Sequence, residues 1–524
     1  MIRIREISMP PEHAASQLVF EAAKLLKISN SSVKKLRIVR RSVDARKKPD
    51  VRIVYTVDVA VDGSEQKILK RSGCKRAAIA PVSYYKIPEC HYTGERPVVV
   101  GFGPAGMFAA LVLAMAGLKP LVLERGEDAV TRQKKIAVFW ETGKLDTKSN
   151  VQFGEGGAGT FSDGKLNTGV NNPRIGWILE QMVNFGARED ILYDAKPHVG
   201  TDVLITVVQN LRKKIIELGG EVRFSAQVTD ILSENGKLTG VEVNGEETIS
   251  CTDLILAPGH SARDTFLRLQ ERELPMEQKP FAMGVRIEHL QSDISRAQYG
   301  TENPALPPAD YKLVRHLEND TVYTFCMCPG GYVVAAASEE GGVVTNGMSY
   351  ADRDGENANA ALLVTVSPDD LPSEDPLAGM YWQREIEQAA FRAGNGYRAP
   401  AQRVGDFLKH APSTAPGKVQ ATYRPGVTWC DLHTVLPKKI TDALEQAIPA
   451  LDGNLRGFAD PDSVLTAPET RSSSPVRILR GENKQSPKIA GLYPAGEGAG
   501  YAGGIMSAAI DGILCAEALL SGNR

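Results

Sequence analysis

Two glycine-dense loops and a handful of isolated polar residues are where this chain of 524 residues could do chemistry. The first loop, "VVVGFGPAG", sets Gly101, Gly103 and Gly106 at G-x-G-x-x-G spacing between an apolar run and a small-residue run, "PAGMFAALVLAMAGL". Glu124 ends the next apolar run. The glycine spacing alone is weak, but in a strand–turn–helix context it is strong. Gly101 permits a tight turn, Gly103 lets backbone approach a pyrophosphate, and Gly106 lets helix and strand pack closely. The helix N-terminus beginning at Pro104 and Ala105 favours negative charge, and Glu124 can accept hydrogen bonds from ribose hydroxyls. The plainer reading is a glycine-rich turn in some other α/β domain.

Two further stretches go beyond what a nicotinamide domain needs. "VQFGEGGAGTFSDGKL" (151–166) offers Gly156, Gly157, Ala158 and Gly159 as a small-residue surface against which a planar ring can lie. "LYPAGEGAGYAGGIMSAAIDG" (492–512) is a second glycine loop running into a helix. Only 12 residues follow Gly512, too few for the second strand of another dinucleotide unit. The expectation is that the tail forms the far wall of the first site. A helix starting near Ile505 would leave amides free beside Gly503 and Gly504, and the Glu497 carboxylate would seek a sugar-chain hydroxyl or, through water, a phosphate.

Four candidates for a catalytic group each meet a plainer reading. Cys326 and Cys328 in "CMCPGG" point to one face of an extended strand. They suit a redox pair or thiolates stacked on a ring, while two ligands make no zinc site, so no metal is expected. The plainer and favoured reading is two small apolar side chains under a hairpin. Arg471 in "PETRSSSPVR" suits a substrate carboxylate, or a salt-bridged loop beside Glu469. His260, after "LAPG", suits a general acid, but "SARD" (261–264) reads as a capping box, so a helix entrance is preferred. Arg286 in "GVRIEH" suits a substrate or a flavin phosphate, and a pair with Glu288 on the same strand face is equally ordinary.

The elements that must position these groups fall into three regions. Residues 1–96 hold 20 Lys and Arg against 10 Asp and Glu, a net of +10, which leaves −12 for the remainder. The basic density peaks at 33–52, so a separate N-terminal module with an acidic partner or RNA is suggested. Its strand-like and amphipathic segments read as a small α/β unit, with a ferredoxin-like sandwich as one form. "PVVVG", "PAGMFAALVLAMAGL" and "LVLE" open a βαβ unit. From about 276 to 465 strands alternate with Pro-rich turns, among them two strands joined at Pro-Gly-Gly in "TVYTFCMCPGGYVVAAASEE". Seven scattered Cys form no disulfide framework, no apolar signal core is evident, and no run is long enough to span a membrane. A cytoplasmic setting is expected.

Taken together, "VVVGFGPAGMFAAL", "LERG", "NVQFGEGGAGTFSDGKL", "LILAPGHSARDTF", "FAMGVRIEH", "TFCMCPGG", "ETRSSSPVRI" and "AGEGAGYAGGIMSAAIDG" resemble a bacterial family of FAD-dependent dehydrogenases of undefined substrate. That family lies within the glutathione-reductase-type, fumarate reductase-like FAD proteins. The resemblance implies an α/β fold with a Rossmann FAD-binding domain (94–275 and 466–524), an inserted mixed α+β substrate domain (276–465) and a small N-terminal α/β domain (1–93). It implies that Gly101, Gly103, Pro104, Ala105 and Gly106 cradle the pyrophosphate, with Glu124, Arg125, Gly126 and Arg132 toward the adenosine half. Backbone near Val228 would meet the adenine, and Ala257 and Gly259 would lie on the strand returning past the cofactor. Gly496, Glu497, Gly503, Gly504 and Ile505 would close on the ribityl chain and ring. The class normally carries Asp at the position of Glu497. The function implied is oxidoreduction of an unidentified small molecule through non-covalent FAD, with transient NAD(P)H as one electron donor. No second strand–GxGxxG–helix unit is seen for a nicotinamide. The rivals are an RNA-modifying flavoprotein gripping RNA with the basic module, which lacks aromatic stacking residues over 30–52, and a protein whose FAD is structural.

Overall fold

The run Val98–Val100 is buried on both faces, as a parallel strand demands, and it forms the centre of a five-stranded sheet. In the computed structural model, which describes residues 1–81, 84–169 and 171–522, the order is Leu492–Pro494, Leu254–Leu256, Val98–Val100, Leu121–Leu123, Glu221–Arg223. All neighbours run parallel. Leu256 pairs with Val100 on one side and Pro494 on the other. The two glycine loops therefore leave the same carboxyl end of the same sheet, where α/β proteins bind ligands.

Each loop feeds a helix, Pro104–Met115 and Ile505–Leu520. Both are apolar nearly all round, which marks them as interior helices. They touch at backbone distance: a Cβ on Gly512 would lie 2.0 Å from the Ala105 carbonyl oxygen, and a Cβ on Gly106 would lie 1.9 Å from that of Gly101. Small residues at these contacts let the helices stack against the sheet and each other. An antiparallel meander, Val228–Glu234, Lys237–Val243 and Glu247–Ser250, is inserted before the strand Leu254–Leu256.

The region after 276 is built on a seven-stranded mixed sheet, in which Phe281–Leu290 pairs with Asn357–Val366 and with Val464–Glu469. The expected return at residue 466 falls inside that last strand; the chain leaves the sheet only after Glu469 and pairs Val476–Ile478 with Met276–Gln278. The strands flanking Pro-Gly-Gly are not one hairpin. Thr321–Cys328 joins the large sheet, whereas Tyr332–Ala335 pairs with Thr345–Met348 in a separate ribbon.

Residues 2–79 form a βαββαβ unit with sheet order Val33–Asp44, Arg52–Val61, Ile2–Met9, Ala77–Ile79, the ferredoxin-like arrangement. The basic stretch is its edge strand. Lys34, Arg37, Arg46 and Arg52 pair with Asp62, Asp58, Asp44 and Asp50, so much of the positive charge is met within the unit. Charged side chains of this kind also keep an edge from pairing with other chains. At Arg41 the edge is covered: its amide donates to Tyr193 O at 2.7 Å, Ala195 N donates to its carbonyl at 2.8 Å, and its guanidinium pairs with Asp194.

Candidate functional site

A cavity of about 700 Å³ runs from the carboxyl end of the parallel sheet into the face of the inserted domain, a volume ordinary for a small-molecule site. One end is walled by Glu124, Arg125, Val228 and Arg268. Its waist is formed by Gly101, Gly103, Pro104 and Ala105 facing Gly157, Ala158 and Gly159, with Ala257, Gly259 and His260 alongside. The far end is closed by Gly496, Glu497, Gly503, Gly504 and Ile505 from the tail, and by Lys165, Cys326, Asn346, Glu469 and Arg471.

Three of these glycines border open space in the cavity. A Cβ on Gly103 would meet only Gly157 Cα, at 3.6 Å, and a Cβ on Gly503 or Gly504 would meet nothing within 4 Å. Packing does not explain glycine at Gly103 and Gly503; a ligand lying against backbone does. Neither helix has a side-chain cap at its N-terminus, where Gly103 and Gly504 stand as the N-cap residues. Two uncapped helix starts facing one cavity favour a ligand with negative charge and acceptor oxygens. The shape and donors fit a dinucleotide laid from Glu124 to Ile505.

Glu124 is 5% exposed and more committed than its sequence role required. Its Oε2 accepts from Phe102 N at 2.7 Å, and its Oε1 accepts from Gly126 N and Gly154 N, both at 2.9 Å. It ties three loops together, and a sugar hydroxyl would use the lone pairs left over. Arg125 is held by Asp264 and lies over the Phe153 ring at 4.4 Å.

Four expected cofactor residues do not line the cavity. Arg132 is fully buried behind the second glycine loop, donating to the carbonyls of Asn150, Val151 and Glu155 and lying over Phe161. Its guanidinium shapes that loop. Gly106, Gly126 and Gly156 also lie outside the lining, each packed where a Cβ would collide with Gly101, Gly154 or Thr160.

The catalytic candidates separate clearly. Arg471 reaches the cavity wall, but its guanidinium is gripped bidentately by Glu387 at 3.0 and 2.8 Å, a partner far away in sequence, and not by Glu469. Burial would raise the Glu387 carboxyl; Arg263 and Arg471 hold it at about 2. Glu469 instead pairs with fully buried Arg286, at 2.7 and 2.8 Å, while Glu288 accepts from Thr422 and Asn357. The expected Arg286–Glu288 pair is thus replaced, because the strand beside Arg286 brings in a carboxylate of its own. The capping box at 261–264 does not form: the helix Arg263–Glu271 starts after Ala262 with no side-chain cap, and Ser261 donates to Gln152. His260 faces the cavity, its Nδ1 at 3.3 Å from Glu497 Oε1 and its buried Nε2 without a protein partner. The cysteine pair does not lie under a hairpin either, since Cys326 is part of the cavity wall.

Several residues of the site escaped the sequence reading. Lys165 donates to Asp163 at 2.7 Å and to the Met327 carbonyl. Burial would lower its ammonium, but Asp163 keeps it raised above the ordinary value. Asp163 is fixed in turn by Arg353 and Ser349. Asp511 accepts from Gly496 N at 2.7 Å and pairs with Arg480, whose guanidinium lies 3.6 Å over the Tyr501 ring and donates to Pro494 O. An aspartate in the middle of a helix that is otherwise apolar from Ala508 to Ala516 was the available signal. Away from the cavity, His410, His433 and Glu445 come together, but His433 is hydrogen-bonded at 2.5 Å to Glu445 and 2.6 Å to Asp431. At that separation imidazole and carboxylate are hydrogen-bonded to each other, whereas two donors bound to one tetrahedral ion at about 2 Å each stand about 3.3 Å apart.

Residues 95–279 match the family model described as pyridine nucleotide-disulphide oxidoreductase, and residues 280–472 match that of the C-terminal domain-like region of FAD-dependent proteins. Residues 1–60 match a domain of unknown function. An uncharacterized protein of Clostridium beijerinckii is 47% identical over 99% of this chain and 98% of its own length. Protein FixC of Azorhizobium caulinodans is 28% identical over 34% of this chain and 40% of its own. A geranylgeranyl bacteriochlorophyll reductase-like protein of Thermoplasma acidophilum aligns in structure over 81% of this chain and 77% of its own, at 15% identity and a TM-score of 0.36. No described helix is long and apolar enough to cross a membrane.

Proposed function

We propose that the FAD of this chain lies along the cavity between the two glycine loops, with the ring end opening on the inserted domain; the chain is an FAD-dependent oxidoreductase and belongs to one family with its uncharacterized Clostridium beijerinckii relative. One observation carries this reading: the same cavity is lined by Gly101–Ala105, by Gly157–Gly159 and by Gly496–Ile505, segments nearly 400 residues apart in part, and it continues past them to Lys165 and Cys326. When bound, FAD supplies electron transfer to and from a small molecule.

The chain's own residues have distinct tasks. Gly103 and the start of helix Pro104–Met115 take the pyrophosphate, and Glu124 holds the loop in place while offering a lone pair to the ribose. The start of helix Ile505–Leu520 and Glu497 take the ribityl end. Glu497 is steadied by His260, and Asp511 fixes Gly496 by its amide. At the ring end, Lys165 presents an ammonium anchored at two points, and Glu469 is held by Arg286. This polar chamber beyond the ring supports a substrate-handling FAD over a structural one. The gap left by the substrate's identity is narrowed only to a small molecule that reaches Lys165 and Cys326. A nicotinamide donor would dock against the inserted domain. The seven cysteines, all free, support a reducing, cytoplasmic setting.

The test is FAD retention. The purified protein should be yellow and hold about one FAD per chain, released on denaturation. Glu497→Ala should weaken FAD by about 1–3 kcal/mol, the scale of a hydrogen bond to a charged group, with circular dichroism unchanged. Parental affinity in that variant would show that the tail does not face the cofactor. Anaerobic bleaching of the flavin by NADH or NADPH tests the donor.

A further inference from the structure

The strand Thr321–Cys328 slips register against Asn357–Val366 between Phe325 and Cys328. Inside that bulge Cys326 takes φ of 41°, the left-handed region that a residue with a β-carbon rarely occupies. Such conformations persist where surrounding contacts impose them, and they cluster at functional sites. The contacts here are two cations. Arg286 Nη1 donates to Cys326 O at 2.9 Å, and Lys165 Nζ donates to Met327 O. The bulge breaks the simple alternation of a strand. Cys326 is turned into the cavity wall while Cys328 is buried behind it, its thiol 3.2 Å from Cys326 O.

We propose that Cys326 and Cys328 are a dithiol–disulfide couple that exchanges two electrons with the flavin, Cys326 being the sulfur presented to the cavity and Cys328 its resolving partner. This rests on the reading that the ring occupies the end of the cavity beside Lys165 and Ile505. In the oxidising direction a bond forms between the Cys326 thiolate sulfur and the Cys328 sulfur, the Cys328 S–H bond breaks, and two electrons and that proton pass to oxidised flavin. Reduction by the flavin runs the same step backwards.

The charges around the pair suit this. Arg286, Lys165, Asp163 and Glu469 all face it. The neighbouring Cys328 thiol lowers the Cys326 thiol, burial opposes, and Arg286 and Lys165 add to the lowering, while Cys328 is pushed up. One thiolate and one protonated neighbour is the arrangement in which a reactive cysteine and its resolving partner differ. Cys251 and Cys515, both driven up by burial to about 12, offer internal comparisons.

The experiment reads thiols in the holoprotein. It is equilibrated in graded reduced and oxidised dithiothreitol, quenched in acid, alkylated, and mapped by peptide mass. The peptide carrying both cysteines should lose two alkylation sites together and become lighter by two hydrogens, while Cys251 and Cys515 stay reduced. In reduced protein at neutral pH, Cys326 should react about tenfold faster than exposed Cys90, the ratio expected of a thiol whose ordinary value of about 8.5 has been lowered. With the disulfide formed, photoreducing the flavin without added thiol should restore both alkylation sites, and apoprotein treated alike should not recover them. Cys326→Ser and Cys328→Ser should keep FAD and lose the mass change. A pair that stays reduced in every buffer, a Cys326 no faster than Cys90, or sites that stay blocked after photoreduction of FAD-replete protein would each overturn the proposal. FAD content measured on the same samples separates this failure from failure of the cavity reading.

Discussion

Replacing Gly103 separates the cofactor's demands from those of the fold. Its backbone angles, φ −81° and ψ −175°, are open to any residue, and a Cβ there would meet only Gly157 Cα at 3.6 Å, an ordinary contact. Gly103→Ala loses a glycine N-cap, worth up to about 1 kcal/mol, and gains about 0.4–1 kcal/mol from a less flexible unfolded chain. The fold should therefore change by less than about 1 kcal/mol. The cofactor should respond differently, because the new methyl stands where backbone must close on the pyrophosphate. Overpacking a tight contact by a methyl costs about 1–3 kcal/mol, which is about 5- to 150-fold in affinity, and Gly103→Val should exceed that. Gly106→Ala is the contrast: its Cβ would lie 1.9 Å from the Gly101 carbonyl oxygen, so backbone must move and the fold itself should lose at least about 2 kcal/mol. FAD titration by flavin fluorescence, with denaturant unfolding of the apoproteins, reads both quantities. A folded Gly103→Val protein that binds FAD with parental affinity would refute the assignment of this loop.

Asp511→Ala leaves Arg480 buried without its carboxylate and frees the Gly496 amide, so stability should fall by about 3–5 kcal/mol and FAD should dissociate faster, as urea unfolding and dialysis would report. Arg132→Ala strips the three carbonyls of Asn150, Val151 and Glu155 of their donor. It should destabilise the apoprotein itself, so an unfolding midpoint equal to the parent's would contradict the loop-shaping role. Burial would lower the His433 imidazole, but Asp431 and Glu445 raise it above the ordinary value. Its stabilising contribution is then complete below the unfolded value of about 6.5 and is lost as pH rises through the higher folded value. The stability gap between parent and His433→Gln should shrink as pH rises above about 6.5, and a gap that widens would reverse the assignment.

Much of the site was legible because its requirements are local. Gly101 and Gly106 meet a tight turn and a helix–strand contact within a few residues, and both constraints show in the spacing. A small α/β unit over residues 2–79 was legible from alternating and helical apolar patterns in the same way, with a ferredoxin-like sandwich as one form, and the structure supplied its strand order. Residues whose meaning depends on a distant partner were misread. Arg471 was weighed beside Glu469 because they are neighbours in sequence, yet the partner is Glu387, 84 residues away. Arg286 was weighed between a ligand and Glu288, two residues on, whereas the strand Val464–Glu469 supplies its partner, Glu469. Arg132 looked like a cofactor cation but faces away from the cavity.

The cysteines show the division most clearly. Strict alternation along Thr321–Cys328 would leave two thiols on one covered face, but the bulge against Asn357–Val366 turns Cys326 into the cavity. By itself the sequence determined the parallel-sheet unit and its glycine loops, because those depend on backbone freedom and hydrophobic period over short spans, while the flavin followed from the resemblance of whole motifs to a known family. Only the tertiary structure decided which charges meet, which loop each arginine holds and which sulfur sees the cavity, because a salt bridge or a strand register joins residues whose separation in the chain carries no signal of their separation in space.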